Sequence, residues 1–283
     1  MKKRNWIYLL LMALCVAAFC IYYTVDGVRT DSRAPVIQFS DELLEVSVAD
    51  PEEMLLQGVT ASDHNDGDVT DLVVVESIRL DSPDGTLNVG YAAFDAAGNV
   101  AKATRQVRYH DYESPRFHLT EPLVFIQNRD VDLLEFIRAE DKVDGDLSHR
   151  VKVAAIANSI SKEVGSYDVL CRVTNSLGDM AELTIPAEIL PSGKYNGSVE
   201  LSDYLVYLPQ GGQFRAESFL KSFSYNAETI RLDGTRPGNI TVKTVGQVDM
   251  QTPGVYDVTY TVACTVGNQT YTGYSRLVVV VEG

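Results

Sequence analysis

Three carboxylates sit within the ten residues "ASDHNDGDVT", as Asp63, Asp66 and Asp68 around Gly67. A near copy returns as "AEDKVDGDLS", with Asp141, Asp144 and Asp146 around Gly145. A glycine between acidic residues permits the tight reversal that lets carboxylates converge. Convergent hard oxygens are what calcium takes, about six to eight at a time, so three side chains do not complete a cage. A second polar turn, "DAAGN", adds Asp95 and Asn99 as candidate ligands, and its copy "NSLGD" adds Asn175 and Asp179. A structural alternative stands beside the calcium one: aspartates also cap turns by accepting backbone N–H bonds, and the glycines serve that purpose equally. The pattern lacks the terminal glutamate of an EF-hand loop.

Other chemistry is poorly signalled. The sequence contains no Gly-x-Ser-x-Gly elbow, no phosphate-cradling glycine loop and no His-Glu-x-x-His, and His64, His110, His118 and His149 lack metal-ligand spacing. A non-catalytic protein is expected. The net charge of −15 repels phosphate backbones, which argues against nucleic acid as a partner, and it attracts cations. In "YLVYLPQGGQF", Tyr204, Tyr207 and Phe214 lie near two glycines and are candidates for contact with cell-wall carbohydrate or another surface protein, with strand-core packing as the competing assignment.

The elements that position these residues follow from repetition. The acidic loops are 78 positions apart, while "YAAFDAAGNVA" and "CRVTNSLGDMA", like Pro35 and Pro115, are 80 apart. Within each copy Leu87, Val89, Tyr91 and Ala93, or Tyr167, Val169, Cys171 and Val173, alternate with polar or small neighbours, the period of a half-buried strand. Gly98 and Gly178 mark hairpin turns. A third segment keeps the later half of the pattern, as "TPGVYDVTYTVACT", and lacks the acidic loop. Short strands and modules of this size predict an all-β fold, tandem antiparallel immunoglobulin-like β-sandwiches, joined stiffly end to end through short Pro-containing junctions. Cys171 and Cys264 fall within apolar alternations, so packing rather than reactivity is their expected role.

The expected organisation is a basic stub at 1–5, a transmembrane signal anchor at 6–25, a linker at 26–34, and modules at 35–110, 115–190 and 195–283. The anchor rests on an uncharged run from Trp6 to Val25, with Lys2, Lys3 and Arg4 held inside and Trp6, Tyr8, Tyr22 and Tyr23 at the interfaces. It places the remainder outside the cell membrane, N-in and C-out. Cleavage after Ala18, giving a secreted protein, is the alternative.

The motifs "GVTASDHNDGDVT" and "LNVGYAAFDAAGNVAKATRQVRY" resemble those of bacterial surface immunoglobulin-like domains related to the hyalin-repeat family and to the Ig-like domain of a pesticidal crystal protein. The resemblance is close for Pro35 to Tyr109, worn for Pro115 to Leu190 and weak beyond. It implies spacer or adhesion modules and carries no catalytic residues.

Overall fold

The computed structural model describes residues 2–29, 31–128, 131–154 and 163–283. The chain divides into two compact units, Met1–Tyr112 and Glu113–Gly283.

In the first unit, Leu87, Val89, Tyr91 and Ala93 are wholly buried along the strand Thr86–Phe94. This strand is central, paired antiparallel with Val73–Ser82 on one side and Val100–Tyr109 on the other. The facing sheet is smaller, with Val59–Asp63 between Val36–Phe39 and Gly67–Asp68. Gly98, at φ +86°, closes the hairpin in a backbone region that L side chains avoid.

The sheets are not purely antiparallel. After Val36–Phe39 the chain crosses to the other layer, and Leu43–Val46 runs parallel to Val100–Tyr109. The same switch follows Arg116–Leu119, where Val124–Ile126 runs parallel to Met180–Leu190, and follows Ser198–Leu201, where Leu205–Pro209 runs parallel to Gln269–Glu282. Each switch passes through a hydroxyl-acid pair: Ser40-Asp41, Thr120-Glu121 or Ser202-Asp203. Dividing one strand between two layers covers an edge of each sheet.

The second unit holds two sandwiches. In one, Ile137–Asp141 lies between Arg116–Leu119 and Gly145–Asp146, facing a sheet ordered Lys152–Ala154, Gly165–Thr174, Met180–Leu190, Val124–Ile126. In the other, Leu220–Tyr225 lies between Ser198–Leu201 and Glu228–Arg231, facing Leu205–Pro209, Gln269–Glu282, Gly254–Val266 and Ile240–Val245. The early half that its sequence hides is therefore present. A tight turn with Asn226 and Ala227 at φ +42° and +66° stands where the other copies carry the acidic loop.

These two sandwiches are joined through a strand pair of the later one that packs on both faces. Leu205 and Val278 belong to the core of the earlier sandwich, and Tyr207 and Val280 pack against it. Their neighbours Leu277, Val279 and Val281 lie in the later core, with Val206 and Leu208 against it. Successive side chains of a strand point to opposite faces, so one strand pair fills two cores. Polar rims close the junction. The Tyr207 hydroxyl accepts the Phe117 N–H at 3.0 Å, and Arg116 pairs with Glu282 at 2.8 Å while lying over the Tyr207 ring. Arg276, nearly buried, pairs with Glu188 at 2.6 Å, and the Tyr274 hydroxyl donates to the same carboxylate.

The helix α1 spans Lys2–Arg29. Among the described residues, however, no helix is long and apolar enough to cross a membrane, which corrects the expected single-pass, N-in/C-out placement. The side chains of Lys2, Lys3, Arg4, Trp6 and Tyr23 lie outside the described residues.

Two outcomes follow. Val278→Ala should cost about 1–3 kcal/mol by leaving a cavity in a shared layer. Hydrogen exchange should then accelerate together in Gly165–Thr174 and Gly254–Val266, whereas acceleration confined to one strand would contradict a common layer. Cys171 and Cys264 are buried, and burial pushes the Cys171 thiol up to about 12, while Cys15 and Cys20 are exposed. A thiol reagent at neutral pH should therefore modify Cys15 and Cys20 in the native chain, and Cys171 and Cys264 only after denaturation.

Candidate cation-binding pole

The strand Val59–Asp63 delivers Asp63 to one pole of the first sandwich, and the hairpin after Thr86–Phe94 delivers Asp95. Both are buried, at 9% and 6% exposure. Asp63 Oδ1 accepts the N–H groups of Asn65 at 2.7 Å and Asp66 at 3.1 Å. Asp95 accepts the Asn99 N–H at Oδ1 and the Asn99 amide at Oδ2, each at 2.7 Å. Hydrogen bonds thus fix both carboxylates on one side.

Asp66 and Asp68 serve the other purpose foreseen for them. Asp66 Oδ2 accepts the Ala96 N–H at 2.9 Å, tying the acidic loop to the neighbouring turn, and Asp68 Oδ1 accepts the Thr70 N–H at 3.0 Å. The third carboxylate at the pole comes from Asp31 instead. Asp31, Asp63 and Asp95 each place an oxygen within 4.8 Å of the others. Asn99 acts as a positioner, its Nδ2 donating to the Asp31 and Arg33 carbonyls at 3.1 Å each. Nothing in the local sequence marks Asp31, which stands outside both loop motifs; the shift of 80 to Asp111 is its only signal.

The second copy is wired differently. Asp141 Oδ1 caps the N–H groups of Val143 and Asp144, and its Oδ2 accepts the Asn175 amide at 2.9 Å. Asp144 Oδ2 accepts the Ser176 N–H at 2.6 Å and Arg150 at 3.1 Å. Asp146 Oδ1 accepts the Ser148 N–H at 2.8 Å, and the Asp179 carbonyl accepts the Asn175 N–H at 3.0 Å. An amide and a guanidinium here occupy the acceptors that a cation would need.

The aromatic candidates are committed to packing. Tyr207 seals the junction, Tyr204 packs against both cores of the second unit, and Phe214 stacks on Phe219 at 5.8 Å. A groove of ≈ 940 Å³ lies instead between the two sandwiches of that unit, lined by Glu121, Tyr195, Glu200, Lys221 and Tyr274. The Tyr195 and Tyr274 rings lie 5.5 Å apart.

No known family's sequence pattern matches this chain, and no curated protein matches it. Among solved structures, the protocadherin GammaB4 extracellular domain is similar over 89% of this chain and 50% of its own, at 14% identity and a TM-score of 0.21. This chain thus spans about half the length of that one. The structure of CBM51-2 in complex with GlcNAc and INT domains from Clostridium perfringens ZmpB matches over 87% of this chain and 41% of its own, at 16% identity and a TM-score of 0.22. Mouse cadherin-23 EC22-24 matches over 89% and 99%, at 12% identity and 0.21. Likenesses of this extent carry no site across and do not bear on the hyalin-repeat or crystal-protein kinship.

The loop hydrogen bonds imply a pH dependence. N–H groups of Asp66 and Asn65 hold Asp63 below the usual carboxylate range, and the hydroxyl and N–H of Thr70 and of Ser148 do the same for Asp68 and Asp146. A depressed folded-state pKa gives stability that is present above the unfolded value of ~3.9 and is lost as pH falls through the folded one. The melting temperature should hold from about pH 7 to 5 and fall below about pH 4. A double Asp68→Asn, Asp146→Asn variant should show a shallower fall in thermal melts across that window.

Proposed function

We propose that this chain is a non-catalytic surface interaction scaffold of three immunoglobulin-like modules, of which the last two form one stiff element. One observation carries the reading: Leu205–Pro209 and Gln269–Glu282 supply side chains to two cores at once. Sliding or rotating one sandwich against the other would expose Leu205 and Val278, so a fixed geometry is maintained by burial. The shifted carboxylates serve turns, which supports a structural rather than a catalytic use of the acidic loops. Kinship with bacterial surface domains of hyalin-repeat type belongs to the same proposal, on the loop motifs alone.

A second reading, an adhesin for cell-wall carbohydrate or another surface protein, is favoured by the groove beside Tyr195 and Tyr274. Paired rings flanked by Glu200 and Lys221 offer stacking and hydrogen bonding together. Tyr204, Tyr207 and Phe214 are replaced in this reading by Tyr195 and Tyr274. Deleting 195–283 would not test it, because the deletion strips Leu205 and Val278 from the core of the preceding sandwich.

The scaffold reading is tested by spin labels at the exposed positions Thr184 and Thr244, as Thr184→Cys and Thr244→Cys in a Cys15→Ser, Cys20→Ser background. One narrow distance distribution is expected, and a broad or bimodal one would remove the stiff element. For the adhesin reading, Tyr195→Ala should weaken co-sedimentation with cell-wall polysaccharide about tenfold, in line with the loss of one stacking ring; unchanged co-sedimentation leaves only the scaffold.

A further inference from the structure

We propose that the pole of the first sandwich binds a single divalent cation of the calcium class through Asp31, Asp63 and Asp95, and that this cation pins the segment leading into Pro35. The proposal is independent of whether the chain serves as a scaffold. Two buried carboxylates and a third, partly buried, converge within 4.8 Å, and none of the three forms an ion pair among the described residues. Asp63, nine-tenths buried, keeps Oδ2 without any hydrogen-bond partner, and Asp31 Oδ2 is likewise buried and unpartnered. Leaving such oxygens unmatched is unfavourable. A bound cation satisfies both oxygens and offsets the mutual repulsion.

The second sandwich serves as an internal control. One period on, Asp95 is replaced by Asn175, whose amide fills Asp141 Oδ2. Arg150 supplies positive charge where the first copy has Leu72. These two changes supply donors at the second pole where the first keeps an all-carboxylate opening. Hard oxygen donors with no nitrogen or sulfur among them select calcium over zinc or copper, and water completes the coordination shell. Oxygens within 4.8 Å of one another fit across a calcium cage with metal–oxygen bonds of about 2.3–2.6 Å. Because Asp31 precedes the first strand and Asn99 already holds its carbonyl, metal binding orders the lead-in rather than the sandwich itself.

The test titrates calcium into the full-length chain after EDTA treatment, read by calorimetry, thermal melting and hydrogen exchange. One calcium per chain is expected, with the melting of the first unit raised by about 5–10 °C at ~10-fold excess over Kd, and the second unit unmoved. Amides at 31–34 should gain protection. Asp95→Asn, which copies the second pole, should weaken binding about 100-fold, and Asp31→Asn about tenfold, while Asp68→Asn stays within about twofold. If Asp95→Asn does not fold, Asp31→Asn carries the test, since Asp31 lies outside every strand. Absence of saturable heat and of any melting shift at about 5 mM calcium would overturn the proposal. So would affinity unchanged by Asp31→Asn and Asp95→Asn, or magnesium binding as tightly as calcium.

Discussion

Burial of one strand pair on both faces governs the second unit. Along Leu205–Pro209 and the end of Gln269–Glu282, alternate side chains enter different cores, so the earlier sandwich lacks part of its interior without the later one. Hydrophobic burial is non-directional, and here the ladder hydrogen bonds between Leu205 and Val278, and on to Pro209 and Glu282, give it direction. The polar contacts of Glu188, Arg276, Tyr274, Arg116 and Tyr207 then surround an apolar seam, each satisfying a group that the seam would otherwise strand. Arg276 illustrates the dependence: its guanidinium is nearly inaccessible and relies on Glu188, from the other sandwich, for its close partner.

Much of this was legible from local pattern. Period-two alternation located Thr86–Phe94 and Gly165–Thr174, and glycine placed the turns at Gly98 and Gly178, because strand pleat and positive φ are properties of a few adjacent residues. The parallel half-strands were not legible, since nothing in "LLEV" records that its partner lies some sixty residues away. The run "LVVVV" lacks alternation, the available sign in the sequence that neither face of this strand meets water. An uncharged N-terminal run suggested a span that the described part of α1 does not supply.

The acidic loops show the same division. Asp63, Asp66 and Asp68 are chemically identical and all accept backbone N–H groups, yet of the three only Asp63 also turns an oxygen to the pole, a difference set by single-residue steps through a turn. Asp31 was invisible to motif reading because its contribution depends on chain return over distance, through Asn99. The rings of Tyr204, Tyr207 and Phe214 meet other side chains of the fold, the packing alternative given for them. Aromatic residues beside glycine signal close approach, and the sequence does not say of what.

The parallel half-strand at the start of each sandwich has a mechanical consequence. In the first module Leu43–Val46 enters the fold near its beginning and lies beside the strand that leaves it, Val100–Tyr109, both running the same way. Tension applied to the two ends of such a module drags these neighbours past one another lengthwise. The bonds Leu43 to Val46 make with the exit strand are then strained in shear, all at once, instead of being peeled one by one. The same parallel clasp recurs at Val124–Ile126 and Leu205–Pro209.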